Sequence, residues 1–186
     1  MAVLSEELRT KAEEIVARYP QPRSALLPLL YLVQAEQGYV SQEGMREVAD
    51  LLGLSTAEVD AVATYYTMFK KQPSGTWLMS VCTNLSCALA GGRRLYERAV
   101  ERLGEDARRV TEDGLLTVEE VECLGACDAA PVVQVNYCNY DRVSEEGLDE
   151  MIERLRAGQV PEPTRGPNPV EHRDTSRILG GLNDRG

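Results

Sequence analysis

The sequence predicts an α+β protein in which a helical bundle comes first and a domain with a mixed sheet follows. Three observations lead to this prediction. Apolar residues recur at helical spacing over residues 1–74, short apolar runs bounded by turns occur over residues 75–158, and proline and glycine are frequent over residues 159–186. With 186 residues, of which 43% are hydrophobic, the chain is long enough to bury a substantial core.

The first region, residues 1–74, contains the pattern of four helices. Each predicted helix begins at a serine whose hydroxyl can accept a hydrogen bond from the first turn, namely Ser5, Ser24, Ser41 and Ser55. The second helix carries the longest apolar run of the chain, residues 25–33, and ends at Gly38. Pro28 is compatible with this helix only near its first turn or at a kink. The apolar stripes of the four helices predict a small helical bundle.

The second region, residues 75–158, carries elements in the order β-α-β-β-β-α. The predicted strands cover residues 76–81, 115–121, 131–135 and 140–143, and the predicted helices cover residues 91–103 and 144–158. This order predicts a layered domain with helices packed over a mixed sheet. Residues 159–186 contain four prolines and cannot build a core of their own, so we expect them to be disordered or laid over a partner.

Composition and charge exclude several functions. The formal net charge is −10, which argues against binding to nucleic acid or to an anionic membrane, because both need a basic surface. The single histidine, His172, lies in the proline-rich tail, whereas zinc hydrolases and Ser-His-Asp triads need histidines in a built site. Without an export signal or an apolar run of about 20 residues, the sequence predicts a soluble protein whose thiols stay reduced.

Five cysteines remain as the residues that can carry unusual chemistry. Cys82 and Cys87 have the spacing C-x4-C, Cys123 and Cys127 have the spacing C-x3-C, and 35 residues separate the two pairs. Each pair follows a predicted strand, so parallel or neighbouring strands would bring four thiolates to one end of the sheet. The longer spacings favour a [2Fe–2S] cluster, while a zinc site and unligated redox thiols remain alternatives.

Several residues near these cysteines have a functional and a structural interpretation. Cys138 is expected to be a half-buried structural residue rather than a fifth ligand. Pro131 is either a cis proline facing the cysteines or an ordinary trans turn proline. Thr83 is placed to donate a hydrogen bond to a cysteine sulfur. Gly91 and Gly92 lack the rest of a phosphate-binding motif, so no nucleotide site is predicted in this chain.

The negative charge is concentrated in the cysteine-containing region. Residues 75–158 carry 9 Lys or Arg against 16 Asp or Glu, whereas the tail over residues 159–186 is neutral. An acidic environment disfavours the addition of an electron, because the added charge is repelled. A redox centre in this region is therefore expected to have a low potential.

Three segments resemble the pattern of a known family. Residues 113–131 read DGLLTVEEVECLGACDAAP, residues 81–87 read VCTNLSC and residues 59–66 read VDAVATYY. Together they resemble the [2Fe–2S] subunit of respiratory complex I, which in bacteria is a subunit of NADH-quinone oxidoreductase. The resemblance extends over residues 5–157 and leaves the tail outside. Leu116 stands where the family usually has Phe, and Cys138 matches no family ligand.

The resemblance implies a helical bundle followed by a thioredoxin-like [2Fe–2S] ferredoxin domain. It implies one [2Fe–2S] cluster, bound by Cys82, Cys87, Cys123 and Cys127. The cluster would accept electrons from FMN on a partner subunit that also binds NADH, so this chain alone would hold no complete active site.

The resemblance also implies a place within a larger assembly. The chain would join other subunits of the peripheral arm of a membrane-bound complex, on its cytoplasmic face and without inserting into the membrane. Two alternatives remain: the equivalent subunit of an NAD-linked hydrogenase or formate dehydrogenase, and a zinc-stabilised interaction module.

Overall fold

A computed structural model describes residues 2–166 and 168–171 of the chain. These residues form two compact units that divide between Pro73 and Ser74. We call residues 2–73 the helical unit, and the described residues from 74 to 171 the sheet unit. Within the described residues, no helix combines the length and the apolarity that crossing a membrane requires. His172 lies outside the described residues, so the structure does not test the prediction that this histidine belongs to no built site.

The helical unit is built from four α-helices in its described residues: α1 (Glu6–Ala17), α2 (Leu26–Gln37), α3 (Gln42–Leu52) and α4 (Thr56–Tyr65). The predicted caps of three of them are confirmed. Ser5, Ser41 and Ser55 accept hydrogen bonds from the first turns of α1, α3 and α4. Before α4 the bond is reciprocal, because the Glu58 side chain accepts from the backbone of Ser55.

Helix α2 begins later than predicted. Ser24 does not cap it, because this residue lies in a 3-10 turn over Pro22–Ala25 and the helix starts at Leu26. Pro28 therefore falls in the first turn of α2, where its missing N–H leaves no helical hydrogen bond unmade. The helix ends at Gly38, whose φ of 82° closes it in the left-handed conformation. Four of its five leucines, Leu26, Leu29, Leu30 and Leu32, are buried in the core of the helical unit.

The sheet unit contains four strands in its described residues: β1 (Trp77–Cys82), β2 (Leu116–Val121), β3 (Val133–Val135) and β4 (Cys138–Tyr140). Their spatial order is β2-β1-β3-β4. β1 is parallel to β2 and antiparallel to β3, and β3 is antiparallel to β4. In the parallel pair Cys82 lies opposite Val121, so the carboxyl ends of β1 and β2 meet at one end of the sheet.

Helices complete the sheet unit: α5 (Leu85–Leu89), α6 (Gly92–Leu103) and α7 (Glu145–Arg156). Ion pairs join α6 to α7, from Arg94 to Glu145, from Arg98 to Asp149 and from Arg102 to Glu153. Because each step is four residues in the same direction on both helices, α6 and α7 run parallel, side by side. Their apolar faces share one core with the strands.

Two elements of the sheet unit differ from the prediction. The fourth strand is Cys138–Tyr140 rather than residues 140–143. Asn136 and Tyr137 adopt positive φ angles of 44° and 69°, which turn the chain back immediately after β3. The prediction also lacks α5, which begins where the side chain of Asn84 accepts a hydrogen bond from the next backbone N–H at 2.7 Å. A helix of five residues is too short to show an apolar helical period.

The described residues that follow α7 lie along β4. The Tyr140 hydroxyl donates to the Pro161 carbonyl at 2.7 Å, and the Thr164 N–H donates to the Asn139 carbonyl at 2.9 Å. This part of the tail thus packs against the chain's own sheet, which differs from the expected disorder or partner contact. The difference arises because β4 offers an unpaired strand edge to the returning chain.

Candidate metal centre

The four predicted ligands lie on the two segments that follow β1 and β2. Cys82 is the last residue of β1 and Cys87 lies in α5, and both residues are only 3% exposed. Cys123 comes two residues after β2, and Cys127 begins a 3-10 turn that ends at Ala129; both cysteines are exposed. Parallel pairing of β1 with β2 brings the two segments to one end of the sheet, as the sequence predicts.

Backbone contacts hold the first segment closely. The Cys82 N–H donates to the Val132 carbonyl at 3.1 Å, and the Cys82 Sγ donates to the Glu122 carbonyl at 3.3 Å. Gly92 packs against the same segment. A Cβ atom at this position would lie 2.4 Å from the carbonyl oxygen of Cys82 and 2.9 Å from that of Cys87. Since both neighbours are backbone atoms, only glycine fits here.

Small apolar side chains surround the buried pair of cysteines. Ala126 and Val132 are 4% and 1% exposed and form one cluster with Cys82 and Cys87. Burial, with a smaller contribution from a hydrogen bond with Cys82, raises the pKa of the Cys87 thiol to about 11. The Cys87 thiol therefore keeps its proton at neutral pH in the metal-free chain and must lose it to bind a metal.

The polar groups near the second segment differ in part from the prediction. The Gly125 N–H donates to the Cys123 Sγ at 3.4 Å, a contact of the kind that stabilises a thiolate ligand. The Thr83 hydroxyl does not donate to a cysteine sulfur as predicted. It donates to the Glu120 carboxylate at 2.7 Å, because the charged oxygen is the stronger acceptor.

Interactions among the thiols connect the two cysteine segments. Cys87 is hydrogen-bonded to Cys82 and lies within electrostatic reach of Cys127. Among residues 2–166 and 168–171, no three His, Cys, Asp or Glu side chains stand close enough to hold a single metal ion. Zinc needs four donors around one ion, whereas a binuclear cluster takes two thiolates on each of two irons. The two segments supply four cysteines, the number of thiolates that a [2Fe–2S] cluster takes.

The structure also gives the positions of Cys138 and Pro131, two residues for which the sequence allowed a functional and a structural interpretation. Cys138 pairs with Val135, which lies opposite Met79, three residues before Cys82. Strand geometry puts Cys138 about 10 Å along and about 10 Å across the sheet from Cys82. At 4% exposed, Cys138 is a buried strand residue, more deeply buried than predicted. The Ala130–Pro131 peptide bond is cis, as one of the two interpretations of this proline has it, and a position facing the cysteines stays a prediction.

Sequence reasoning missed three features of this site, of which the Gly92 contact is the first. The second is an exposed apolar pair on α5, where Leu85 and Leu89 are 73% and 84% exposed on either side of Cys87. Their spacing of four residues was the available signal. The third is a contact from the tail. Arg165 donates to the Asp128 carboxylate at 2.8 Å and holds the pKa of Asp128 below its usual range.

Comparison with known proteins agrees with this geometry. The family described as thioredoxin-like [2Fe-2S] ferredoxin matches residues 12–156, from within α1 to the end of α7, which include the four cysteines. The chain belongs to the thioredoxin-like [2Fe-2S] ferredoxin family. Membership confirms the predicted fold class and supports a [2Fe–2S] cluster in this chain.

Relatives and a solved structure extend the comparison. The E subunit of NADH-quinone oxidoreductase from Mycobacterium tuberculosis is 47% identical over 178 residues, which are 96% of this chain and 71% of the relative. NADH-quinone oxidoreductase subunit 2 of Thermus thermophilus is 40% identical over 163 residues, 86% of this chain and 90% of the relative. The NAD+-reducing [NiFe]-hydrogenase in its H2-reduced state is similar with a TM-score of 0.62 at 24% identity. The match covers 74% of this chain and 23% of the hydrogenase chain, and it concerns the fold alone.

Proposed function

We propose that this chain is an electron-transfer subunit of an NADH-quinone oxidoreductase, and that Cys82, Cys87, Cys123 and Cys127 bind its one [2Fe–2S] cluster. The observation that carries the proposal is the parallel pairing of β1 with β2, which puts both cysteine-bearing segments at one end of the sheet. Membership of the ferredoxin family and the two relatives named as NADH-quinone oxidoreductase subunits support it.

The residues of this chain hold the cluster, shield it from water and set the charge around it. When bound, the cluster supplies one-electron redox chemistry. Cys82 and Cys87 exclude water from their side of the site, because they pack with Ala126 and Val132. Cys87 releases its proton on binding, so uptake of the cluster is favoured by higher pH. The excess of acidic residues over residues 75–158, 16 against 9 basic ones, favours a low potential.

We further place a partner subunit that binds FMN and NADH on the exposed surface beside the cysteines. Leu85 and Leu89 lie one turn apart on α5, before and after Cys87 in the chain, and both are exposed whereas Cys87 is buried. Exposed Cys123 and Cys127 lie at the same end of the sheet. Large apolar side chains that are exposed next to a redox site are typical of an interface. With further peripheral-arm subunits, the assembly would lie on the cytoplasmic face of the membrane.

Spectroscopy on the anaerobically purified chain tests the cluster. We expect visible absorption, an EPR signal at low temperature after reduction with dithionite, and two irons and two sulfides per chain. A colourless and EPR-silent preparation with one zinc ion per chain would contradict the proposal and support the zinc-stabilised interaction module.

A pull-down from native cells tests the partner. We expect recovery of a subunit that binds flavin and NADH, followed by subunits of a quinone-reducing module. The double variant Leu85→Glu/Leu89→Glu should lose this partner and keep the cluster spectrum. Tyr65→Glu, which changes a residue 79% exposed in the helical unit, is the matched control.

Two results of the pull-down would change the proposal. Recovery of hydrogenase or formate dehydrogenase subunits would replace the quinone oxidoreductase by one of those alternatives. Undiminished recovery with the double leucine variant would exclude the α5 surface as the docking site.

A further inference from the structure

The chain after α7 forms a strap, residues 159–166, that runs along β4. Thr164 holds the strap at two points, since its N–H donates to the Asn139 carbonyl at 2.9 Å and its hydroxyl accepts from the Asp141 N–H at 2.9 Å. Arg165 follows directly in a β-bridge with Asn139. The backbone of Arg165 is therefore fixed against the sheet by hydrogen bonds on the preceding residue.

The guanidinium of Arg165 joins two carboxylates from different parts of the sheet unit. Its Nε donates to the Asp141 Oδ2 at 2.6 Å, and its Nη2 donates to the Asp128 Oδ2 at 2.8 Å. The side chain of Asp141 is 9% exposed, that of Arg165 is 44% exposed and that of Asp128 is 70% exposed. The buried contact with Asp141 thus anchors the guanidinium, whose other donors reach Asp128. A planar guanidinium makes both contacts at once, which a compact ammonium group does not.

Asp128 follows Cys127 directly, in the turn that carries this cysteine. Two backbone bonds hold the turn: the Ala129 N–H donates to the Ala126 carbonyl at 3.0 Å, and the Arg142 N–H donates to the Ala129 carbonyl at 2.9 Å. A three-residue 3-10 turn has little stability of its own. The guanidinium contact therefore ties the exposed Asp128 side chain of this turn to the strap.

Charge gives the same contact a second effect. The segment from β2 to the turn carries Glu119, Glu120, Glu122 and Asp128, so the cysteines of the second segment lie in a negatively charged part of the unit. A cation beside Cys127 offsets part of this charge and stabilises an added electron.

We propose that Arg165 is a positioning residue that holds the Cys127 turn, and that its positive charge raises the midpoint potential of the cluster. This inference rests on the proposed [2Fe–2S] function. It adds a residue that lies beyond residues 12–156, the part of the chain that matches the family.

Potentiometric EPR titration of the full chain, purified with its cluster, tests the effect of the charge. At the potential where the wild-type cluster is half reduced, the ratio of reduced to oxidised cluster in Arg165→Gln should be about threefold lower than in the wild type. The one-electron relation of 59 mV per tenfold converts this ratio to a shift of about 28 mV to lower potential. Arg165→Lys keeps the charge and should keep most of the wild-type potential. Added salt should shrink the shift, because the groups are partly exposed.

Amide hydrogen exchange on the metal-free chain tests the positioning without the cluster. Arg165→Gln and Arg165→Lys should both speed exchange at the Ala129 and Arg142 amides, since both lose the two-point contact. Arg108→Gln is the matched control. Arg108 is a 53% exposed arginine paired with Glu105 at 3.2 Å, near the start of β2 and away from the cysteines.

Asp128→Asn separates charge from structure. It weakens the same contact, because the amide oxygen that remains carries no charge, and it removes a negative charge. It should therefore raise the midpoint potential, whereas Arg165→Gln lowers it. If the midpoint potentials of Asp128→Asn and Arg165→Gln shift in the same direction, Arg165 has only a structural role and the proposal is overturned. The proposal is also overturned if Arg165→Gln has the midpoint potential and the amide exchange rates of the wild type. If Arg165→Gln does not fold, Arg165→Lys and Asp128→Asn decide the outcome. A wild-type chain without any cluster would instead refute the proposed function, and exchange would then decide the positioning alone.

Discussion

The two cysteine segments of the sheet unit are built in different ways. Cys82 and Cys87 are 3% exposed and lie in a strand and a helix. Cys123 and Cys127 are exposed and lie in an irregular segment and at the start of a 3-10 turn. The first segment is therefore held by the hydrogen bonds of the sheet and by the core beneath it. The second lies outside the strands, and its bonds include the contact of Asp128 with Arg165 of the strap.

This contrast means that one half of the proposed site is buried in regular structure and the other half is exposed. Close packing against Gly92 leaves the first segment no room to move. The second segment carries its two cysteines at the surface, although Ala126 between them is buried. The two segments differ in burial. Cysteine substitutions and thiol-labelling reagents should therefore affect them differently.

Replacing one cysteine in each segment should produce the largest effect. Cys87→Ala and Cys127→Ala should both lose the visible absorption of the cluster, because each iron needs two thiolates. In the metal-free chain only Cys87→Ala should lower the free energy of unfolding, by about 1 kcal/mol, since removing a buried sulfur leaves a cavity. Urea denaturation measures this difference. Equal unfolding energies would remove the contrast between the segments, and a cluster retained in either variant would contradict the ligand assignment.

Gly92→Ala should come next in size. Its Cβ atom would meet the carbonyl oxygen of Cys82 at 2.4 Å, and such overpacking costs about 1–3 kcal/mol. The cluster content per chain should fall as well, because the first segment must shift to make room. Gly147→Ala is the control in the first turn of α7, where the nearest atom, Ser144 Oγ, would lie 3.5 Å away. Equal thermal stability of the two variants would show that the first segment yields easily.

Labelling of the metal-free chain with iodoacetamide should distinguish the segments without any mutation. Exposed Cys123 and Cys127 should react well before Cys87, whose burial also raises the pKa of its thiol from 9.0 to about 11. A raised pKa means less reactive thiolate at a given pH, so labelling of Cys87 should accelerate as the pH approaches 11. Because the folded state holds this proton more tightly, the metal-free fold should lose stability over the same pH range. Peptide mass spectrometry would read the order, and simultaneous labelling would contradict it.

Cys138→Ala should have the smallest effect on the site. This cysteine is 4% exposed in β4 and lies away from both segments. The variant should keep the full visible and EPR spectra and unfold with a loss of roughly 1 kcal/mol, as is common for a buried substitution. Loss of the cluster from this variant would overturn the ligand assignment, because it would make Cys138 a member of the site.

Local patterns predicted the elements that depend on neighbouring residues. Ser5, Ser41 and Ser55 cap helices as expected, since a cap bonds an N–H group only a few residues ahead. The fourth strand was placed too late, because its start depends on the turn at Asn136 and Tyr137, where positive φ is imposed on residues other than glycine. Tertiary pairing with β3 decides such a register, and alternation of apolar residues alone does not.

The division into helical and sheet regions, the spacing of the two cysteine pairs and the family pattern all follow from the sequence alone. These depend on periodicity and on short spacings that act within a few residues. The folded chain was needed to establish that one pair is buried and the other exposed, that Gly92 has no space for a Cβ atom, and that Arg165 meets Asp128. These contacts join residues distant in the chain, so they exist only once the strands have paired and the strap has returned along β4.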